Sequence, residues 1–199
     1  MNRIINFCKN KNINVYRTSK KCFTGTDRIY EALQKINIKD VDMVMNLQGD
    51  EPIMDSANIS KMIEAGVQEP DLIINGWASI QTNKEYISRT IPKVVIKEKG
   101  DLMYMSRSPV PGNKLNKFVE AKKQICVYSF PLKALQFLTE NPQKSSVEEI
   151  EDIEILRFLD IGLTVRVVET ENSSLAVDVP DDVQKVEEEI IIDPIMLRP

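Results

Sequence analysis

A chain of 199 residues can bury one substantial core and add a small lobe, and 42% hydrophobic with 28% charged residues is the composition of an ordinary soluble globular protein. A net charge of −4 without a compensating basic stripe argues against a general nucleic-acid binder, and no apolar run is long enough to span a bilayer. With no histidine, the chain has no His base, no His metal ligand and no Ser-His-Asp triad, so a metal site must be built from oxygens.

Residues 2–10 place Ile4, Ile5 and Cys8 at helical spacing, and residues 12–16 read as a short strand. Thr24-Gly25-Thr26-Asp27-Arg28 forms a turn feeding a helix to about Ile36, with Ile29, Leu33 and Ile36 on one face. Met43-Val44-Met45-Asn46-Leu47 predicts a buried strand, followed by a Gln48-Gly49-Asp50-Glu51-Pro52 turn. Asp55 or Ser56 caps the next helix, through Ile59, Met62 and Ile63, and residues 71–80 form another strand. Residues 92–96 and 102–105 flank Lys99-Gly100-Asp101 as a hairpin, followed by an irregular loop at 108–113 and a Lys-rich polar stretch to Lys123.

Residues 125–130 read as a strand, with Pro131 in the first turn of the helix that follows. Ser145-Ser146-Val147-Glu148 fits a capping box, opening a helix with Ile150, Ile153 and Leu156 inward. Residues 163–168 are the last strand, and Pro180 starts a final helix with Asp181 and Asp182 in its first turn. Cys8, Cys22 and Cys126 show no CxxC spacing and read as reduced thiols of a cytoplasmic protein. The N-terminus carries no apolar signal-peptide core.

Alternating strands and helices predict an α/β fold with a mostly parallel, Rossmann-like sheet. Residues 1–190 form one domain, with a small hairpin lobe at about 92–123 over the sheet's C-terminal edge and a tail at 191–199. Ligands of open α/β sheets bind at that edge, which is where Asp50 and Glu51 fall. Carboxylates there suit Mg²⁺, commonly held by one or two of them plus substrate phosphates. A tight turn with a solvated acidic pair explains the same residues equally well.

Five segments lie in register from about the first residue to about Glu188: Thr24-Gly25-Thr26-Asp27-Arg28; Asn46-Leu47-Gln48-Gly49-Asp50-Glu51-Pro52; Lys93-Val94-Val95 with Tyr104-Met105-Ser106-Arg107; Ser145 to Arg157; and Ala176-Val177-Asp178-Val179-Pro180-Asp181-Asp182. Together they resemble the cytidylyltransferases that make CMP-3-deoxy-manno-octulosonate, the CMP-Kdo synthetases. Members of that family open with a strand and an Arg-Leu-Pro-Gly-Lys loop that grips the CTP phosphates, ahead of the position matching Met1. The resemblance therefore implies an N-terminally incomplete fold of the nucleotide-diphospho-sugar transferase type: a fragment, a chain with a displaced start, or a degenerate binding paralogue. Two positions depart from the family. Gln124 stands where a histidine often precedes the tyrosine matched by Tyr128, and Glu154-Ile155 replaces a Glu-Gln pair. Those departures leave a related acidic sugar, such as the 8-amino variant, open.

The implied reaction is attack of the anomeric hydroxyl of an eight-carbon 2-keto acid sugar on the α-phosphorus of CTP, with release of pyrophosphate for surface polysaccharide synthesis. By resemblance, Asp50 and Asp178 are the catalytic aspartates that hold Mg²⁺, and Arg28 and Gln48 contact the sugar acid. Arg107, Tyr128, Glu154 and Lys93 are further substrate-side candidates. Taken alone, each residue also admits a structural role. Asp178 is a helix-start acid, Arg28 an exposed helix-start arginine and Gln48 a strand cap. Tyr128 fits the core, Glu154 a solvated acidic face and Lys93 a strand flank. CTP and an acidic 3-deoxy sugar are the expected partners, in a cytoplasmic homodimer that binds neither nucleic acid nor membrane.

Overall fold

The computed structural model describes residues 2–38, 40–140, 143–171, 176–177 and 179–192. Helix α1 (Asn2–Asn10) leads through an extended segment into α2 (Gly25–Ile36). Residues 12–16 join no strand: Asn12 takes a left-handed conformation (φ 55°) and Ile13 N–H returns to the Cys8 carbonyl at 2.8 Å, closing α1 instead. Thr24 caps α2 in a reciprocal box with Asp27, satisfying donors that the first turn leaves free.

Then come β1 (Met43–Leu47), α3 (Ser56–Gln68), β2 (Ile73–Ser79), α4 (Asn83–Ile87), β3 (Lys93–Ile96), β4 (Leu102–Ser106) and β5 (Lys122–Pro131). The chain continues through α5 (Leu132–Glu140), α6 (Ser146–Glu151), α7 (Ile155–Asp160), β6 (Val165–Glu169) and α8 (Pro180–Ile192). Asp55 is the cap of α3, accepting from Ala57 N–H. The Ser145–Glu148 capping box is present, but the helix it opens breaks at Asp152, whose φ of 51° ends α6 and restarts the chain as α7. That break turns Ile150 to solvent while Ile153 and Leu156 stay in the core.

The six strands form one sheet in the order β4-β3-β5-β2-β6, with β1 also on β5. The α/β class holds, but the expected mostly parallel sheet does not. Among the described residues only β2–β6 is parallel; β1–β5, β2–β5, β3–β4 and β3–β5 all run antiparallel. The cause lies in the connections. A parallel neighbour needs a long crossover, usually a helix, whereas β3 to β4 is a tight turn and β4 reaches β5 through a helix-free loop. The long strand β5 is the spine on which β1, β2 and β3 all pair.

The hairpin of β3 and β4 belongs to this same sheet. Its tip folds back, so Val167 N–H donates to the Gly100 carbonyl at 3.0 Å and Asp101 pairs with Arg166 at 3.0 Å. Gly100 adopts φ 89°, a conformation that costs glycine little. One core, including Phe130, Leu135, Phe158 and Val165, fills the space between the sheet and α5–α7. A second, around Met62, Ile74 and Val127, lies under α3. At Gly66, α3 approaches so closely that a Cβ would meet Met43 Sδ and Ser129 Oγ.

Candidate active site

A cavity of about 750 Å³ opens beside the middle of β5. Gln48 and Asp50 from the turn after β1, Arg107 from the end of β4, Tyr128 from β5 and Glu154 ahead of α7 all line it. These five come from four separate stretches of chain, and only the fold unites them. Asp178 lies outside the described residues. Its neighbour Val177 donates its N–H to the Asp50 carbonyl at 2.8 Å.

Asp50 is half-buried, and among the described residues its carboxylate accepts no hydrogen bond and joins no ion pair. The next residue differs: Glu51 is buried and accepts the Cys126 N–H at 2.9 Å, locking the turn to β5. Burial, with Glu51 nearby, pushes the Cys126 thiol far above its ordinary pKa, so it stays protonated. Tyr128 is likewise raised, first by burial and then by Cys126. Its hydroxyl accepts from Gln124 Nε2 at 3.0 Å.

Arg107 is anchored rather than free. Its guanidinium donates to the carbonyls of Glu151 (2.6 Å), Asp152 (2.9 Å), Arg89 (3.1 Å) and Thr90 (3.3 Å). Glu151 completes the clasp, accepting from Ser106 Oγ at 2.6 Å and Arg107 N–H at 2.9 Å. Burial opposes the charge on Glu151, but these hydrogen bonds prevail and lower its pKa. The Glu154 carboxylate accepts Thr26 N–H at 2.8 Å, an anion at the start of α2, where the helix dipole favours it.

Two of the expected substrate contacts stand outside the cavity lining. The guanidinium of Arg28 is spent on its own preceding loop, donating to Ser19 O (2.9 Å), Thr18 Oγ1 (3.2 Å) and Cys22 O (3.3 Å). Lys93 is fully buried, its Nζ donating to the carbonyls of Ser88 (2.6 Å), Ile91 (2.6 Å) and Arg107 (2.8 Å). Burial, then Arg89 and Arg107, lower its pKa to about 8.

Other lining residues were not singled out for the site from the sequence. Arg89 reaches the rim from an unremarkable Ile-Ser-Arg segment and donates to Ser108 Oγ at 2.7 Å. Asp182 reads in sequence as a helix-start acid, and it does accept Val179 N–H at 3.1 Å, yet it too faces the cavity. Beneath this rim, Arg157 and Glu148 form a two-pronged buried pair at 2.7 and 3.0 Å, with Asp27 3.6 Å away.

The donors fit a hard divalent cation. Asp50 offers an uncommitted carboxylate in a chain with oxygen ligands to spare. Among the described residues no three His, Cys, Asp or Glu side chains cluster tightly enough to cage a metal by themselves. A single free carboxylate fits Mg²⁺, which is commonly held by one or two carboxylates together with waters and substrate phosphates.

A family model described as cytidylyltransferase matches residues 1–170. The chain belongs to that family. It is 34% identical over 182 residues to the 3-deoxy-manno-octulosonate cytidylyltransferase of Thermodesulfovibrio yellowstonii, an alignment covering 85% of this chain and 71% of that protein. It is 30% identical over 182 residues to the 8-amino-3,8-dideoxy-manno-octulosonate cytidylyltransferase of Shewanella baltica, covering 90% and 74%. Among solved structures, CMP:2-keto-3-deoxy-manno-octonic acid synthetase complexed with CTP superposes with a TM-score of 0.85 at 25% identity, over 96% of this chain and 78% of that one. Within this cytidylyltransferase fold, the cavity on β5 is the candidate for the chemistry.

Proposed function

We propose that this chain carries the site of a CMP-Kdo synthetase, which transfers CMP from CTP to the anomeric hydroxyl of 3-deoxy-manno-octulosonate and releases pyrophosphate. The observation that carries the reading is the convergence of Gln48, Asp50, Arg107, Tyr128 and Glu154 on one cavity. The relatives named for this reaction support it. The product is an activated acidic sugar for lipopolysaccharide or a related surface polysaccharide. A cytoplasmic homodimer is the proposed form. Among the described residues no helix is long and apolar enough to cross a membrane.

Such transfer is mainly a matter of positioning and charge. Asp50, with Asp178, would hold Mg²⁺. Bound there, the ion neutralises charge on the triphosphate and eases ionisation of the attacking hydroxyl. Gln48, beside Asp50, offers an amide for a sugar hydroxyl. Arg107 and Arg89 make their part of the rim positive, which suits the sugar carboxylate. Tyr128 remains protonated at neutral pH and supplies a fixed hydroxyl. Lys93 and Glu151 keep Arg107 in place through its carbonyl and its N–H.

The test is pyrophosphate release with CTP, Mg²⁺ and Kdo, run beside Asp50→Asn. Release that depends on both Kdo and Asp50 is the expected result. Equal release by the variant would overturn the assignment of Asp50. Absence of both turnover and Kdo binding by calorimetry would overturn the functional reading itself. The departures at Gln124 and Ile155, with the 30% identity to the Shewanella baltica relative, motivate a second reading in which the acceptor is an 8-amino sugar; a substrate preference measured on both acids separates the two.

A further inference from the structure

Strand β5 carries a bulge at the cavity. Opposite β2 the register jumps, so Asn75 pairs with Tyr128 while Gly76 pairs with Ile125. A bulge leaves ladder groups without strand partners, and bulges often re-aim side chains beside functional sites. Here the buried Asn75 side chain fills the gap, its Nδ2 donating to the carbonyls of Ile125 and Val127, both at 3.0 Å. Backbone carbonyls can only accept, so the orientation of the Asn75 amide is forced: nitrogen toward the bulge, Oδ1 away from it.

The next link follows by the same logic. Asn75 Oδ1 is an acceptor and lies 3.1 Å from the Gln124 amide, so it must meet Nε2. The second hydrogen of Nε2 goes to the Tyr128 hydroxyl at 3.0 Å. Both amide hydrogens of Gln124 are thereby consumed within the protein. Gln124 lines the cavity and is 9% exposed. Its Oε1 is the polar atom that remains, and no described residue donates to it.

We infer that Gln124 is a specificity-determining residue that presents a hydrogen-bond acceptor of fixed polarity to the acidic sugar, with Asn75 as its positioning residue. The proposal rests on the cytidylyl transfer argued above and adds to it. A free glutamine can turn its amide to suit either a donor or an acceptor. Gln124 cannot, because turning it would set its Oε1 against Asn75 Oδ1. The sugar must therefore bring a donor, a hydroxyl or an ammonium, to this point. An analogue lacking that donor leaves a largely buried acceptor unpaired, and sites built this way discriminate well.

The experiment compares the wild type with Gln124→Met, which keeps length and volume and removes both amide groups. The panel is Kdo, its single-position deoxy analogues and its 8-amino analogue, each with CTP and Mg²⁺. The wild type should disfavour one deoxy analogue by at least about tenfold in kcat/KM, the worth of one good hydrogen bond, and Gln124→Met should lose that discrimination. The thermal midpoint should fall in Gln124→Met, because the buried Asn75 Oδ1 loses its donor. The KM for CTP should not move, and the loss of selectivity across the panel is the readout that a merely structural role would not give. Asn75→Ala should relax the same discrimination, and in the double variant the two changes should not add. Should Asn75→Ala fail to fold, Gln124→Met decides alone. Identical selectivity in wild type and Gln124→Met overturns the proposal while leaving cytidylyl transfer intact. No turnover or binding with any acid on the panel overturns the transfer itself and this inference with it.

Discussion

Two regions around the cavity are built on opposite terms. Where β4 meets the α6–α7 junction, the polar side chains are committed to the protein: Lys93 to three carbonyls, Arg107 to four, Glu151 to a hydroxyl and an N–H. In the turn after β1, the Glu51 carboxylate is tied to Cys126 N–H, whereas among the described residues the Asp50 carboxylate has no hydrogen-bond or ion-pair partner. The contrast separates construction from action. A group whose hydrogen bonds are all made inside the chain holds a shape. A group with bonds to spare in a cavity is available for substrate.

The largest effect should come from breaking construction. Removing one member of a buried ion pair leaves the other charge uncompensated, so Glu148→Gln should destabilise the fold by about 3–5 kcal/mol in urea unfolding. A loss below about 1 kcal/mol would show that Arg157 is satisfied in other ways. Asp50→Asn should do the reverse: pyrophosphate release falls by about 100- to 1,000-fold, the scale for losing a key electrostatic contact, while the urea midpoint stays put. A fall in stability matching the fall in rate would erase the distinction between the two parts.

Lys93→Met sharpens the comparison, because the family pattern suggests substrate contact and the structure shows carbonyls. It should cost about 1–3 kcal/mol, the penalty for leaving buried acceptors unpaired, with KM for Kdo little changed. A pH signature accompanies it. The Lys93 pKa is about 8 in the fold, against 10.5 in its ordinary state. Between those values the unfolded chain holds a proton that the folded chain has released, so this group makes stability rise with pH across that window. Lys93→Met should lack that rise.

The smallest effect lies away from both regions. The Glu31 carboxylate accepts from Cys22 Sγ, Lys35 and Ser19 N–H, which hold its pKa at about 2 rather than 4.5. A depressed carboxylate contributes stability above its unfolded pKa and loses it as pH falls toward the folded one. Glu31→Gln should flatten the acid limb of the stability curve between pH 4.5 and 2, and an unchanged limb would mean the cluster opens in solution.

Much of this was legible in the residues. The helix starts at Thr24, Asp55 and Ser145 carry side chains that can satisfy free N–H groups, and all three act as caps. The hairpin of β3 and β4 follows from a Gly-containing turn between apolar runs. Strand direction was not legible, because alternation of elements says nothing of whether a connection contains a helix, and the β4–β5 loop does not. Nor was the break at Asp152, where a left-handed residue interrupts a continuous apolar pattern. In the site, the family resemblance singled out Gln48, Asp50, Arg107, Tyr128 and Glu154, which line one cavity. It also singled out Arg28 and Lys93, whose guanidinium and ammonium donate here to backbone carbonyls, a detail that no sequence motif carries. Arg89 and the Asn75–Gln124 contact depend on distant chain segments meeting, so no local pattern carries them.

The tip of the β3–β4 hairpin is fastened to β6, and its root is paired with β5 and cross-tied by Lys93, whose ammonium holds the carbonyls of Ser88, Ile91 and Arg107. A beam fixed at both ends bends little, and it fails only when both supports go. Hinging it away from the sheet would expose the Lys93 ammonium and part the Arg166–Asp101 pair together. The amides of β3 and β4 should therefore exchange with solvent as one block rather than fray from the turn, and the side of the cavity that carries Arg107 is a fixed anvil rather than a moving flap.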